Sequence, residues 1–247
     1  MSRIILVLVV AISLFSQPGT TARAGGNGPS SPHNGADPNY VPTAEELQRI
    51  AVKEASAAQH MKDRKSQVTP LTLGSHTLSV GIWLEPNDAT HVNYCGPGAT
   101  QVALDARLPA SSVPNINTIG AEENIDPSWG VYTTSIRDVL NTRLNTSFYI
   151  VSGATLQTGL QTRIVTDIDS GYVMVTGVKT GGMPGWGTRD VYHIVAVYGY
   201  NEVSGTNTTV YYIETASAYA GFTGTYRNSK PLSTFWNYVK NNSSQVW

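Results

Sequence analysis

The chain has 247 residues, 16 basic and 17 acidic side chains, a formal charge of −1 at pH 7 and one cysteine. A near-neutral balance gives no support to nucleic acid or an anionic lipid surface as partner. One cysteine excludes an internal disulfide, so the fold must rest on its core alone.

At the amino terminus, Arg3 precedes a mostly apolar run, 4–15, that is too short to span a bilayer comfortably. Ala22-Arg23-Ala24 then reads as an A-x-A cleavage site. Residues 1–24 are therefore expected to be a signal peptide cut after Ala24, leaving a secreted chain that starts at Gly25. A retained single-span anchor is the alternative. Without Arg3 and Arg23 the balance is 14 basic against 17 acidic residues. In an oxidising exterior a lone thiol is a liability unless it is buried or used. N-x-S/T sequons stand at Asn145, Asn207, Asn241 and Asn242 and matter only in a glycosylating host.

Residues 25–42 are rich in Gly, Pro, Ser and Asn and read as a disordered linker. Thr43 and Glu46 form a capping box that opens a helix over 43–66, with a thin apolar stripe of Leu47, Ile50, Ala51, Ala58 and Met61. This helix is expected to be either an inhibitory pro-segment or a surface arm. From Leu71 the composition shifts to short apolar runs and Gly turns, so 71–247 forms the main domain. Residues 78–84 are strand-like. Ala99, Val102, Ala103 and Ala106 mark a helix over 96–108, and Ile136, Val139 and Leu140 mark one over 133–141. A strand at 148–151 precedes a helix carrying Leu156, Leu160, Ile164 and Ile168. Strand-like runs follow at 172–178, 191–199 and 210–214, and a helix covers 232–241. Helices first, then neighbouring strands that pair antiparallel, predict an α+β domain.

Within that order, "NYCGPGATQVAL" places Cys95 at the mouth of a helix, because Pro97 suits a first turn. Unpaired N–H groups and the positive dipole end favour a thiolate there and can also donate to an oxyanion. Gly96 is expected to clear space beside the sulfur. A buried structural cysteine is the plain alternative. A thiolate needs a base. His33 falls in the linker, His60 on the amino-terminal helix, and His76 and His91 in polar turns. His193, in "DVYHIVAVYGYN", sits on a strand apolar on both faces, hence a central one, where each ring nitrogen needs a partner. A satisfied core histidine is the alternative. "TVYYIETAS" ends the next strand at Glu214, whose carboxylate is expected to reach Nδ1 of His193 and fix its tautomer; Thr215 is the second candidate. "TGGMPGWGTRD", residues 180–190, suits a mobile substrate wall built on Met183 and Trp186, or a plain surface loop. No His or Cys pair has metal-ligand spacing, so neither metal nor cofactor is expected.

"NYCGPGATQ", "YHIVAVYGYN" and "VYYIETAS" together resemble the bacteriocin-processing-peptidase-like branch of the papain-like cysteine peptidases, over about Leu78–Trp247. The resemblance implies a papain-like α+β fold and thiol peptide hydrolysis. Cys95 matches the nucleophile, His193 the general base, and Glu214 the position usually held by Asp. The known members' Gly-Gly leader substrate does not carry over, since this chain has a leader of its own and no transporter. The Gln that donates to the oxyanion is missing from "GIWLEPNDATHVNY". Register puts Glu85 at its place, but an ionised carboxylate only accepts hydrogen bonds. The amide of Asn87 is therefore assigned as the oxyanion donor, beside backbone N–H groups at Cys95.

The sequence thus predicts a secreted, monomeric, cysteine-dependent hydrolase acting on peptides or proteins, with no nucleic-acid partner and no membrane association once the leader is removed. Two rivals stay open. One is an amidase or acyltransferase on cell-wall or small-molecule amides; the other is a binding module on a degraded peptidase scaffold.

Overall fold

The computed structural model describes residues 34–67, 74–202 and 208–247. The expected signal peptide, residues 25–33 of the linker, His33 and the Asn207 sequon lie outside the described residues. No helix among the described residues is long and apolar enough to cross a membrane.

In chain order the elements are α1 (Ala44–Gln67), β1 (Ser75–Thr77), α2 (Cys95–Asp105), a 3-10 turn at Ala110–Ser112, α3 (Ile116–Glu122), α4 (Thr133–Arg143) and β2 (Val151–Ser152). There follow α5 (Gln157–Asp169), β3 (Met174–Lys179), β4 (Tyr192–Glu202), β5 (Thr208–Ile213), β6 (Arg227–Pro231), α6 (Leu232–Val239) and β7 (Gln245–Val246). The protein is α+β. One seven-stranded sheet runs β2-β7-β3-β4-β5-β6, with β1 also on β4, and every pairing is antiparallel. Alternation along β4 explains the layers, since successive side chains of a strand point to opposite faces. Ile194 and Ala196 join Ala99, Val102, Ala103, Ile136 and Leu140 of α2 and α4. Val195 and Val197 join Leu160, Ile164, Ile168 and Phe235 of α5 and α6 on the other face. Both faces of β4 are buried, as its unbroken apolar run implies.

The capping box of α1 forms in full: Thr43 N–H donates to Glu46 Oε2 at 2.8 Å, and Glu46 N–H to Thr43 Oγ1 at 3.2 Å. The helix docks on α5. Ala57 is fully buried, and Ile50 and Met61 pack against that core, while Leu47 is 54 % exposed and so lies off the buried stripe. Ion pairs lock it in place: Glu54 with Arg163 at 2.6 Å, Lys53 with Asp167 at 3.4 Å and Arg64 with Asp169 at 2.5 Å. The start of α1 also reaches α4, through Glu46 and Arg137 at 2.8 Å.

Two readings of the sequence are corrected here. Residues 34–42 are not a disordered linker at their start. Asn34 is buried and Gly35 bridges Tyr132 in parallel, with Thr133 N–H donating to Gly35 O at 2.9 Å. Gly and Asn read as disorder by composition, yet their small size lets the chain thread this gap. A Cβ at Gly35 would stand 2.1 Å from Asn242 Oδ1, and one at Gly130 (φ 98°) 1.9 Å from Asn34 Oδ1. No strand forms over 78–84: β1, Ser75–Thr77, ends just before it, and a single ladder bond, Leu78 N–H to Tyr198 O at 2.9 Å, extends the pairing. Strands β6 and β7 and helix α3 gave no apolar period. β6, "RNSKP", is an edge held by backbone pairing to β5, and β7 is two residues wedged between β2 and β3.

Of the sequons, Asn145 and Asn241 are exposed, but Asn242 is a buried clamp. Its Nδ2 donates to Asn34 O at 2.8 Å and Val178 O at 3.1 Å, joining the amino-terminal segment to β3. Asn242→Ala is expected to lower stability by about 1–3 kcal/mol, because two buried carbonyls lose their donor. Urea unfolding measures this; an unchanged midpoint would mean that the clamp contributes nothing.

Candidate active site

Helix α2 carries Cys95 as its first residue. Tyr94, in the cap position, makes no side-chain cap bond, so the first-turn N–H groups are not covered by a capping side chain. Ten consecutive residues from Cys95 to Leu104 are buried, which ties the helix start tightly to the core. Gly96 serves that packing and not the clearance beside the sulfur that its position suggested: a Cβ there would meet Val131 Cγ1 at 2.1 Å. Gly98 likewise sits against Thr215, where a Cβ would be 3.0 Å from Thr215 Cβ. This close approach lets Thr215 Oγ1 donate to Cys95 O at 3.1 Å. Thr215 therefore anchors the helix start and is not the group that orients the histidine.

His193 is on β4 and Glu214 follows β5. Continuing the Ala196↔Ile213 register places Glu214 opposite Val195, on the same sheet face as His193 and two residues along. Glu214 Oε1 meets His193 Nε2 at 2.5 Å, not the Nδ1 that was expected. The Cys95 side chain also acts on this ring and raises its affinity for a proton. Glu214 thus takes the ring nitrogen opposite to the one expected.

Glu214 is held from three sides. Besides His193, Trp186 Nε1–H donates to Oε2 at 3.0 Å and Ala216 N–H to Oε1 at 3.0 Å. Burial pushes its carboxyl up, but His193 and these donors outweigh it and hold it below the ordinary value. For His193, burial favours the neutral ring, yet the Glu214 carboxylate and the Cys95 sulfur overcome it and hold the imidazole well above its usual 6.5. The pair is poised as imidazolium and carboxylate. Cys95, His193 and Glu214 are 2 %, 3 % and 1 % exposed, so this charge lies in a site shielded from water.

Trp186 was named only for a loop wall. It is 3 % exposed, its ring centroid is 4.9 Å from that of His193, and its indole holds Glu214. The loop is not a mobile wall. Met183 is buried too, Thr223 N–H donates to Gly185 O at 2.9 Å, and a Cβ on Gly185 (φ 81°) would stand 2.4 Å from Phe222 Cε2. The tryptophan in a Gly-rich run was the available signal, but nothing local links it to a carboxylate 28 positions away.

Asn87 is exposed and its Oδ1 accepts from Tyr219 N–H at 2.7 Å. Glu85 is the buried one, 3 % exposed, and its backbone N–H donates to Thr215 O at 2.9 Å. Its Oε1 accepts from Ser217 N–H at 2.8 Å and Ser217 Oγ–H at 3.2 Å, while Oε2 is buried without a hydrogen-bond partner. Ser217 thereby joins Thr215 and Ala216 in a three-residue stretch that touches Glu85, Cys95 and Glu214 in turn.

Against known proteins, the chain matches no family model and no curated sequence. The functional reading therefore stands on the geometry of this buried thiol–imidazole–carboxylate array in an α+β protein.

Proposed function

We propose that the protein is a papain-like, cysteine-dependent hydrolase that cleaves peptide bonds through Cys95, His193 and Glu214. The observation that carries this reading is one buried histidine whose Nε2 meets a buried carboxylate at 2.5 Å while a thiol at a helix start acts on the same ring. A merely structural core histidine needs partners, but not both an ionised acid and a cysteine at a helix start. The Cys95 sulfur, paired with the imidazolium, attacks the substrate carbonyl carbon, and the carbonyl electron pair moves onto oxygen. The α2 first-turn N–H groups stabilise that oxyanion. On collapse the C–N bond breaks and His193 gives its proton to the leaving amine. Water, deprotonated by the now neutral His193, then hydrolyses the thioester and frees the sulfur. Glu214 keeps the ring oriented and supports its positive charge.

The proposal extends to export, on the leader-like pattern of residues 1–24. The expected result is an extracellular protein whose intact mass starts at Gly25 and which cleaves an internally quenched peptide library when a thiol reductant is present. Library turnover that needs an acceptor amine would favour acyl transfer. Binding without turnover would favour the non-enzymatic module, and either outcome sinks the peptidase reading.

A further inference from the structure

We infer that Glu85 supplies the side-chain hydrogen bond to the oxyanion, as a neutral carboxylic acid standing where an amide is usual. This rests on the hydrolase reading above and adds a condition to it. The geometry comes first. Glu85 is tied to the Thr215–Ser217 stretch, whose Thr215 hydroxyl holds the Cys95 carbonyl and whose Ala216 N–H holds Glu214. Both Ser217 donors go to Oε1, which marks it as the carbonyl-like oxygen. Oε2 is left buried with no hydrogen-bond partner. An ionised oxygen in that position would be a buried charge with no donor, which is costly. As a hydroxyl it needs only an acceptor, and the oxygen of an attacked carbonyl is one. The role asks for no proton transfer: the sulfur–carbon bond forms, the carbonyl electron pair moves to oxygen, and the Glu85 O–H bond persists throughout.

The groups facing Glu85 agree with this. Burial raises its carboxyl to about 7, against the opposing pull of the Ser217 donors and His193, with Glu214 adding to the rise. Ser217 follows β5, His193 is on β4, and His91, in the turn before α2, feels the Glu85 charge as well. Below about pH 7 Glu85 is therefore a donor, and above it Glu85 can only accept and would repel the oxyanion. His193 is raised well above its ordinary value, the direction that keeps the ion pair as pH rises. The sign is a loss of turnover in alkaline solution while Cys95 remains reactive. The enzyme would work in neutral to acidic surroundings and fall silent in alkaline ones.

The test follows initial rates on a pooled, internally quenched peptide library across the pH range, beside the rate of iodoacetamide labelling of Cys95. In the wild type, turnover is expected to fall about tenfold per pH unit above the Glu85 transition, as for a single ionisation, while labelling persists. Glu85→Gln carries a neutral donor at every pH. It should lose that basic limb and exceed the wild type on the order of tenfold once the wild-type acid is largely ionised. Glu85→Ala should lose on the order of a hundredfold in acidic solution, with Cys95 labelling retained. Coincident turnover and labelling curves in the wild type overturn the inference without any variant having to fold. So does a basic limb unchanged in Glu85→Gln, or a hundredfold loss in Asn87→Ala, which would return the donor to Asn87. Such results leave the hydrolase reading standing; a wild type that labels as an ordinary thiol and cleaves nothing removes both.

Discussion

Iodoacetamide is expected to alkylate Cys95 faster in the folded wild type than in His193→Ala. The cause is the imidazolium beside it: His193 is held well above its usual value by Glu214 and by the sulfur itself, in a site where all three side chains are nearly closed to water. In such a site each Coulomb term counts for more than at a surface. His193→Ala should slow that labelling, and His193→Ala and Cys95→Ala should each lower turnover by at least about a thousandfold. In the proposed mechanism both replacements remove a group that forms or breaks a bond, which is why these effects should be the largest. If labelling of the wild type follows an ordinary thiol curve, Cys95 is a core residue and the ion pair does not exist.

Glu214→Gln is the second large effect. The substitution keeps the shape and deletes the charge. Burial is then opposed by the Cys95 sulfur without the carboxylate's help, so His193 moves toward the neutral ring and the imidazolium is lost at a lower pH. Turnover should fall on the order of a hundredfold or more, with activity still measurable because sulfur, base and helix N–H groups remain. The labelling curve should move in the same direction as in His193→Ala, which a merely structural role for Glu214 would not cause. Trp186→Phe keeps the ring that packs on His193 but removes the indole donor to Glu214, and should give the same shift in smaller measure. An unchanged labelling curve in Glu214→Gln would reduce that residue to a buried anchor for Trp186 and Ala216.

Much of this architecture is written in local pattern. Helices α2, α4, α5 and α6 announce themselves by apolar spacing near 3.6. β4 shows itself as an apolar run too continuous for a half-exposed strand, which told in advance that His193 stands at the centre of a sheet. Short elements with no period did not show. β6 is polar because an edge strand needs only its ladder bonds, and α3 rests on the Asn115 cap, whose side chain accepts from Thr118 N–H.

The sequence by itself determined the kinds of groups available: one thiol before a first-turn proline, one histidine on a doubly buried strand, one carboxyl closing the next. It could do so because helix mouths and strand faces are set by residues within a turn or two. Only the tertiary structure decided which atoms meet. Trp186 reaches Glu214 across 28 positions and Glu85 meets Ser217 across 132. Asn87, two residues from Glu85 and chemically the better donor, faces solvent instead. Whether a carboxyl is ionised, which ring nitrogen it takes, and whether a Gly-rich stretch is loose or threaded depend on burial and on partners far along the chain. Those quantities exist only once the chain is packed, because the cost of removing a polar group from water is set by its surroundings and not by its sequence neighbours.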